Sequence, residues 1–532
     1  MSTTISPQNL VSIKEACLWA TEFLRKEISQ TNISYLIQYG KVKKYGENGS
    51  TQICLDDLKN YYKSFNGQRE VQWKKKLGND LNWALSFDHI KEKESTKHIH
   101  RLHPYKGKFI PQLVEYFLDD HTDNFKKQSF FKKGDIILDP FSGSGTTLVQ
   151  ANELGMHAIG TDVSKFNCTI TDSKLLDYDF DLLIREVNNL KKAIQSFETK
   201  NNVEQFEKEL LSELCEFNKK HFPSPQFKRD VYTKKINENV FGKEKEAEFL
   251  KIYNSLVEKY KIKLRQNKND NFLDKWYIKN TRDEIDFAFE QLKKVKDEKI
   301  KRILAIVLSR TIRSCRATTH SDLATLKEPQ LTTYYCFKHK KICKPLFSIK
   351  YWFTRYANDT IARLREFSRI KTDSHWATIS ADSRTVDIFG EIEKRSPKFS
   401  ELLRKQKIRG IFSSPPYVGQ IDYHEQHAYA YDLFGFERKD ELEIGPLYKG
   451  QGIAARESYA DGIAKVLLNA LRFMVDDFDV FLVANDKWGL YPIIAEKAGM
   501  KIVNQYKRPV LNRTERDKNP YSEIIFHLKS NS

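Results

Sequence analysis

A chain of 532 residues has room for two or three domains and a substantial core. Its 89 lysines and arginines against 71 acidic residues leave a formal charge of +18, which makes polyanions such as nucleic acid the natural partners; a merely soluble basic protein is the alternative. Seven cysteines without a regular framework exclude a disulfide-built secreted fold, and no leader-like or membrane-spanning apolar run occurs, so a cytoplasmic, nucleoid-associated protein with no membrane partner is expected.

Residues 1 to 66 read as a unit of their own. Ser12-Ile13-Lys14-Glu15-Ala16 opens an amphipathic helix, and Thr31-Asn32-Ile33-Ser34-Tyr35-Leu36-Ile37 reads as a capped second one. Gly40 to Gly46, a turn at Asn48-Gly49 and Gln52-Ile53-Cys54 then lead into Leu55-Asp56-Asp57-Leu58. This order of helix, turn, helix, β-wing and closing helix resembles the small MerR- and excisionase-like winged helix-turn-helix domains. The resemblance implies that Asn32, Ser34, Tyr35 and Gln38 lie on the helix that enters the major groove. A helical cap that never meets DNA is the alternative.

Residues 67 to 100 are polar and lysine-rich, and read as a linker with some helix. His103-Pro104-Tyr105-Lys106-Gly107-Lys108-Phe109-Ile110-Pro111 leads into the apolar-periodic Leu113-Val114-Glu115-Tyr116-Phe117-Leu118. Next, Ile136-Ile137-Leu138 reads as a buried strand, followed by Asp139-Pro140-Phe141-Ser142-Gly143-Ser144-Gly145-Thr146-Thr147 and a helical pattern. Gly143 and Gly145 lack the Cβ that would keep a ligand away from backbone N–H groups, and the two threonines suit a helix N-terminus. Ala158-Ile159-Gly160-Thr161-Asp162 is the next strand, ending in a carboxylate placed to reach ribose hydroxyls.

Residues 173 to 372 form a charged, helical, glycine-poor insert. Arg310, Arg313 and Arg316 recur at helical spacing on one face, which suits phosphate or guanine contacts and equally a solvated charged face. Cys315, His320, Cys336, His339 and Cys343 cluster in the same insert, the last three as Cys-x2-His-x3-Cys. The spacing matches no standard zinc finger, so ordinary thiols and no metal are expected, with a structural zinc as the alternative.

The sheet resumes at His375-Trp376-Ala377-Thr378-Ile379-Ser380 and ends at Ala381-Asp382-Ser383-Arg384. Gly410-Ile411-Phe412-Ser413 is a further strand, stopped by Ser414-Pro415-Pro416-Tyr417. A helix from Glu457 to Val475 and strands at Val480 to Ala484 and Glu523 to Phe526 complete a strand–helix alternation that means a mostly parallel sheet. The Phe-x-Gly-x-Gly loop and the Ser-Pro-Pro-Tyr tetrapeptide, in that order and each at a strand end, resemble the two signature motifs of the S-adenosylmethionine-dependent DNA amino-methyltransferases. Their order, with the long insert between them, resembles the alpha arrangement.

That resemblance implies an α/β fold: a Rossmann-like methyltransferase sheet over residues 101 to 172 and 373 to 532, with 173 to 372 as a helical target-recognition insert. It implies S-adenosylmethionine contacts from Asp139, Phe141, Ser142, Gly143, Gly145, Thr146, Thr147, Asp162 and Asp382, and catalytic roles for Ser414, Pro415, Pro416 and Tyr417. The segment from His103 to Pro111 corresponds to the motif that closes over the methionine end of the cofactor. Asp162 stands where many of that family carry Glu.

An exocyclic base amine is a poor nucleophile because its lone pair is delocalised, and acceptors around its N–H groups localise that pair and offset the charge developing in transfer. Ser414 and the Pro415 carbonyl suit this, and Tyr417 offers a ring for an extruded base. No Pro-Cys pair occurs, so ring-carbon methylation by an attacking thiolate is excluded. Ser ahead of Pro-Pro-Tyr favours the N4 of cytosine in double-stranded DNA; adenine N6, RNA, and a DNA-binding regulator with a vestigial catalytic domain are the alternatives. Restriction–modification is the expected setting, with the cognate endonuclease a separate protein.

Overall fold

The computed structural model describes residues 9–531, apart from 26, 39, 47–50, 106, 268–270, 321–327, 346–347 and 512–518. Its strands are β1 (Leu10–Ser12), β2 (Lys44–Tyr45), β3 (Gln52–Cys54), β4 (Ile136–Asp139), β5 (His157–Asp162), β6 (Tyr334–Cys336), β7 (Lys341–Cys343), β8 (Trp376–Ser380), β9 (Ile408–Ser413), β10 (Met474–Ala484), β11 (Met500–Pro509) and β12 (Ser522–Ser530). Seven of them form one sheet in the order β11-β12-β10-β9-β4-β5-β8. Neighbours from β10 to β8 are parallel, and β12 runs antiparallel between β10 and β11.

The sheet is buried on both faces, and its strands therefore read as continuous apolar runs split by a period of two. Ile137, Phe412, Phe481 and Val483 enter one core with Leu113, Phe117 and Leu148. Ile136, Leu138, Ile411, Val480 and Leu482 enter the other with Ile463 and Leu467. From β4 the chain steps outward to β5 and β8, then crosses back to β9 and β10. The reversal lies between β4 and β9, the place where an open α/β sheet leaves a crevice at the carboxyl ends of its strands.

The insert is predominantly helical, including Phe180–Lys200, Val203–His221, Glu238–Lys259, Lys279–Lys293, Glu298–Ser314 and Ile349–Ser368. Its inner residues Leu190, Ile194, Ile285, Leu304 and Ile312 continue the first core, so the insert is fastened to the sheet rather than tethered to it. The hairpin β6–β7 interrupts the helices. Among the described residues, no helix is long and apolar enough to cross a membrane.

At the N-terminus, β1, helix Ile13–Leu24, helix Gln30–Gln38, β2, β3 and helix Leu55–Lys63 follow in order, with a small sheet β1-β3-β2. Ser12 caps the first helix in a capping box with Glu15, as its spacing predicts. The turn expected at Asn48-Gly49 lies outside the described residues. The stretch from 67 to 100, read as a linker, is packed: helix Phe65–Leu77 buries Trp73 beside Trp83, both in one cluster with Ala16, Ile33 and Leu58. Helix Ile453–Leu471 starts and ends earlier than expected, because Met474 already opens an 11-residue strand.

Phe481 is fully buried, with ring centroids 5.0 Å from Phe117, 4.8 Å from Phe130 and 4.4 Å from His527. Phe481→Ala is expected to destabilise the protein by roughly 3–5 kcal/mol, read as a lowered urea midpoint with an unchanged slope.

Candidate active site

Asp139 closes β4 and Ser413 closes the adjacent β9. Ser413 Oγ donates to Asp139 Oδ1 at 2.5 Å, and the Phe141 N–H donates to the same oxygen at 3.2 Å. Burial, at 2% exposure, pushes the Asp139 carboxyl up to about 6 in spite of these bonds.

The loop beyond Asp139 is held from two sides. Gly143 and Gly145 have φ of 48° and 75°, the left-handed region that favours glycine. A Cβ on Gly143 would stand 2.8 Å from the Tyr105 hydroxyl, and one on Gly145 would stand 2.4 Å from Thr171 Cγ2. Thr171 and Lys174 belong to helix Lys165–Leu175, and they donate to the carbonyls of Gly143 (3.3 Å) and Ser144 respectively. Lys174 is fully buried, and burial lowers its pKa well below the ordinary lysine value. Gly143 N–H donates to Asp162 Oδ2 at 2.9 Å, while Asp162 Oδ1 accepts from Ser164 N–H at 2.8 Å and Asn167 Nδ2 at 3.1 Å. Burial raises the Asp162 carboxyl above its usual range.

A cleft opens along this loop. It gathers Asp139, Phe141, Ser142, Gly143, Thr146, Asp162, Asp382, Ser414 and Pro416. Four other candidates stand behind or beside it. Gly145 is pressed against Thr171, Thr147 donates its hydroxyl to the Phe412 carbonyl at 3.2 Å, and Pro415 is buried. Tyr417 does not line the cleft; its hydroxyl donates to Glu523 at 2.8 Å. Ser414 Oγ donates to the Val483 carbonyl at 3.0 Å, which leaves its lone pairs for a further donor. The Asp382 carboxylate is already paired with Arg384 at 2.8 Å.

Sequence reasoning missed several lining residues. Asn167, Tyr423 and Glu443 reach the cleft from elements with no motif of their own, Ser383 sits beside the expected Asp382, and Lys174, behind the loop, looks like any helical lysine until its burial is known. Tyr105, Gly107, Lys108 and Phe109 sit in the segment singled out ahead of the loop. Three buried polar atoms at the cleft, Ser142 Oγ, Ser144 Oγ and Asn167 Oδ1, have no hydrogen-bond partner among the described residues. Such orphans mark a place where a polar ligand belongs.

A wider groove adjoins the cleft and shares Tyr105 and Lys108 with it. Arg310, Arg313 and Arg316 all line it, joined by Arg101, Lys275 and Arg355. Arg310 is buried, bridges to Asp359 at 2.7 Å and stacks 4.2 Å over Tyr356. Arg316 is buried over Tyr429. Arg313 is half-buried, and its guanidinium has no ion-pair partner among the described residues. Burial holds His103 and His427 neutral, the latter lowered to about 3, so they add apolar walls rather than charge.

Of the residues expected on a major-groove helix, Tyr35 needs correction. Tyr35 is 3% exposed and turns edge-on to Phe125, so it faces the protein body and not DNA. Asn32 accepts from the Ser29 N–H and hydroxyl at 2.9 Å, while Ser34 is half-buried. The side chain of Gln38 lies outside the described residues. Of the thiols, Cys315 is buried in the main core with its Sγ toward the Ser348 carbonyl at 3.5 Å, away from the other Cys and His residues.

Comparison with known proteins agrees with this geometry. Residues 14–173 match the N6/N4 family model described as DNA methylase. Over 98% of its length the chain is 48% identical to the type II methyltransferase M.MjaII of Methanocaldococcus jannaschii, covering 97% of that protein. Shorter matches include the type II methyltransferase M.MvaI of Kocuria varians, 33% identical over 22% of this chain and 24% of the relative. Another is the orphan methyltransferase M.BamHII of Bacillus amyloliquefaciens, 30% identical over 23% of this chain and 43% of the relative. The chain therefore belongs to the N6/N4 amino-methyltransferase family of DNA methylases. Within that family, the relative it matches from end to end is a type II methyltransferase.

Asp139 has a folded-state pKa raised from 3.8 to about 6, so its contribution favours folding at low pH and is lost as pH rises through about 6. Asp139→Asn is expected to stabilise the ligand-free protein at pH 7.5 by up to about 3 kcal/mol and by little at pH 4. Urea unfolding of both proteins at the two pH values measures the difference.

Proposed function

We propose that this protein is a type II DNA methyltransferase that uses S-adenosylmethionine to methylate the exocyclic N4 amine of cytosine in duplex DNA. The observation that carries the proposal is the Ser413–Asp139 hydrogen bond, which sets the glycine loop and the Ser414–Pro416 segment on one cleft. When bound, S-adenosylmethionine supplies an electrophilic methyl group on a sulfonium centre. The orphaned Ser142, Ser144 and Asn167 atoms fit it, and Asp162 on the cleft wall is the acceptor for its ribose hydroxyls. With Arg384 on its carboxylate, Asp382 contributes to an adenine pocket chiefly through its backbone.

Ser414 Oγ and the Pro415 carbonyl are the acceptors for the target amine, and Glu523 fixes the ring of Tyr417 for the extruded base. Arg313 and its neighbours form the phosphate-binding wall of the adjoining groove. The N-terminal unit is a second DNA contact of winged helix-turn-helix type, meeting DNA through exposed Lys43 and Lys44 at β2 rather than through Tyr35. The recognised site is protected against a separate endonuclease.

Methylated duplex digested to nucleosides is expected to contain N4-methylcytosine by mass spectrometry; N6-methyladenine in its place would reassign the target. Ser414→Ala is expected to lower kcat at least tenfold with cofactor affinity retained, and unchanged turnover would remove Ser414 from the chemistry. Arg313→Ala should weaken duplex binding by roughly tenfold and flatten its salt dependence by about one unit of slope, and separately Lys43→Glu with Lys44→Glu should weaken it further and flatten it by about two. Gel shifts at several salt concentrations would expose a groove or a wing that never touches DNA.

A further inference from the structure

We propose that His320, Cys336, His339 and Cys343 bind a structural zinc ion that fastens the end of the arginine helix to the β6–β7 hairpin. One donor atom from each of the four residues lies within 4.8 Å of all the others. The two thiol sulfurs stand 3.6 and 3.5 Å from His339 Nδ1. Bond lengths of about 2.3 Å to sulfur and 2.0–2.1 Å to nitrogen, at tetrahedral angles, give a sulfur–nitrogen edge of about 3.6 Å. The side chains therefore already hold the edges of a zinc tetrahedron.

The remaining histidine is oriented from behind. His320 Nδ1 lies 2.6 Å from the Tyr334 hydroxyl, which also accepts the His320 backbone N–H at 2.8 Å. A proton on Nδ1 donated to that hydroxyl leaves Nε2 as the ligand, the usual arrangement for a metal-bound imidazole.

The hairpin also needs such a centre. Tyr335 and Ile342 face the helical core around Phe249 and Tyr253. On the other face, Tyr334, Cys336 and Cys343 make a cluster of three residues by themselves. A two-stranded ribbon is marginal in water, and a face this small supplies little burial to hold it. Metal coordination supplies in its place free energy that only the folded chain can collect. His320 follows Arg316 by four residues, so the ion ties the groove's arginine helix to the hairpin across 16 positions.

A second cluster, His98, His100 and Glu153, is a natural control. There Glu153 is already engaged by Lys97 at 2.7 Å and by His98 at 2.9 Å, so a cation partner is present without a metal.

The full-length protein, purified without chelator, is expected to carry roughly one zinc per chain by elemental mass spectrometry. Cobalt(II) exchanged into the site should give the intense visible bands of a tetrahedral ion together with thiolate charge-transfer absorption. Cys336→Ser with Cys343→Ser should abolish both signals, whereas His98→Ala with His100→Ala should leave them intact. A wild-type chain without stoichiometric zinc that also fails to give the cobalt–thiolate spectrum would overturn the proposal, as would zinc that persists in the double cysteine variant. If that variant does not fold, the wild-type cobalt spectrum decides by itself: an octahedral spectrum without thiolate bands counts against the site.

Discussion

The hydrogen bond from Ser413 to Asp139 joins two residues 274 positions apart in the chain, each the last of its strand, on either side of the sheet's reversal point. The loops that continue from these residues both line the cleft, so their separation is set by strand spacing rather than by loop flexibility. Strands in a sheet lie about 4.8 Å apart, a distance that thermal motion hardly alters. Positioning of reacting groups is worth several powers of ten in rate. Building the site on two hydrogen-bonded strand ends secures that precision with few residues.

The arrangement stores electrostatic strain at the same point. Asp139 is buried with its pKa raised, Asp162 lies on the neighbouring strand, and Lys174 beneath the loop is buried with its pKa depressed. None of these groups would be chosen to stabilise a fold, since each loses hydration that its hydrogen bonds only partly replace. Orphaned oxygens on Ser142, Ser144 and Asn167 add to that cost. A ligand offering positive charge and hydrogen-bond donors relieves the two carboxyl groups and the orphaned oxygens together. The destabilised ground state of the empty cleft thus appears as binding energy when it fills.

What was legible in the sequence follows from range. Gly143, Gly145 and the Ser414–Tyr417 run announce themselves because their backbone requirements are local: positive φ at the glycines and an absent N–H at the prolines. The mostly parallel sheet was legible from the strand–helix alternation, whereas the strand order β11-β12-β10-β9-β4-β5-β8 was not. Lys174, Tyr423 and Glu443 left no such trace, because their places arise when distant elements pack. Tyr35 misled for the opposite reason: a helix has two faces, and without the partner surface around Phe125 nothing in its spacing says which one is buried. The Asp382–Arg384 pair was readable in principle at a separation of two residues, yet a carboxylate at a strand end suggests a ligand before it suggests a neighbour.

The insert gains a mechanical meaning from where it leaves the sheet. It departs after helix Lys165–Leu175, the same helix whose Thr171 and Lys174 hold the glycine loop. On that helix Asp172 bridges to Arg302 at 3.0 Å, and Arg302 lies on the helix Glu298–Ser314 that carries Arg310 and Arg313. A short chain of packed and hydrogen-bonded groups thus runs from the loop to the groove, through two helices joined by the Asp172–Arg302 pair. Arg310 continues it through Asp359 to Arg363, which donates to the His98 carbonyl at 2.8 Å ahead of the Tyr105 segment. Both walls of the cleft are in this way referenced to the arginine helix. Cleft and groove are thus built on one continuous set of packed and hydrogen-bonded elements.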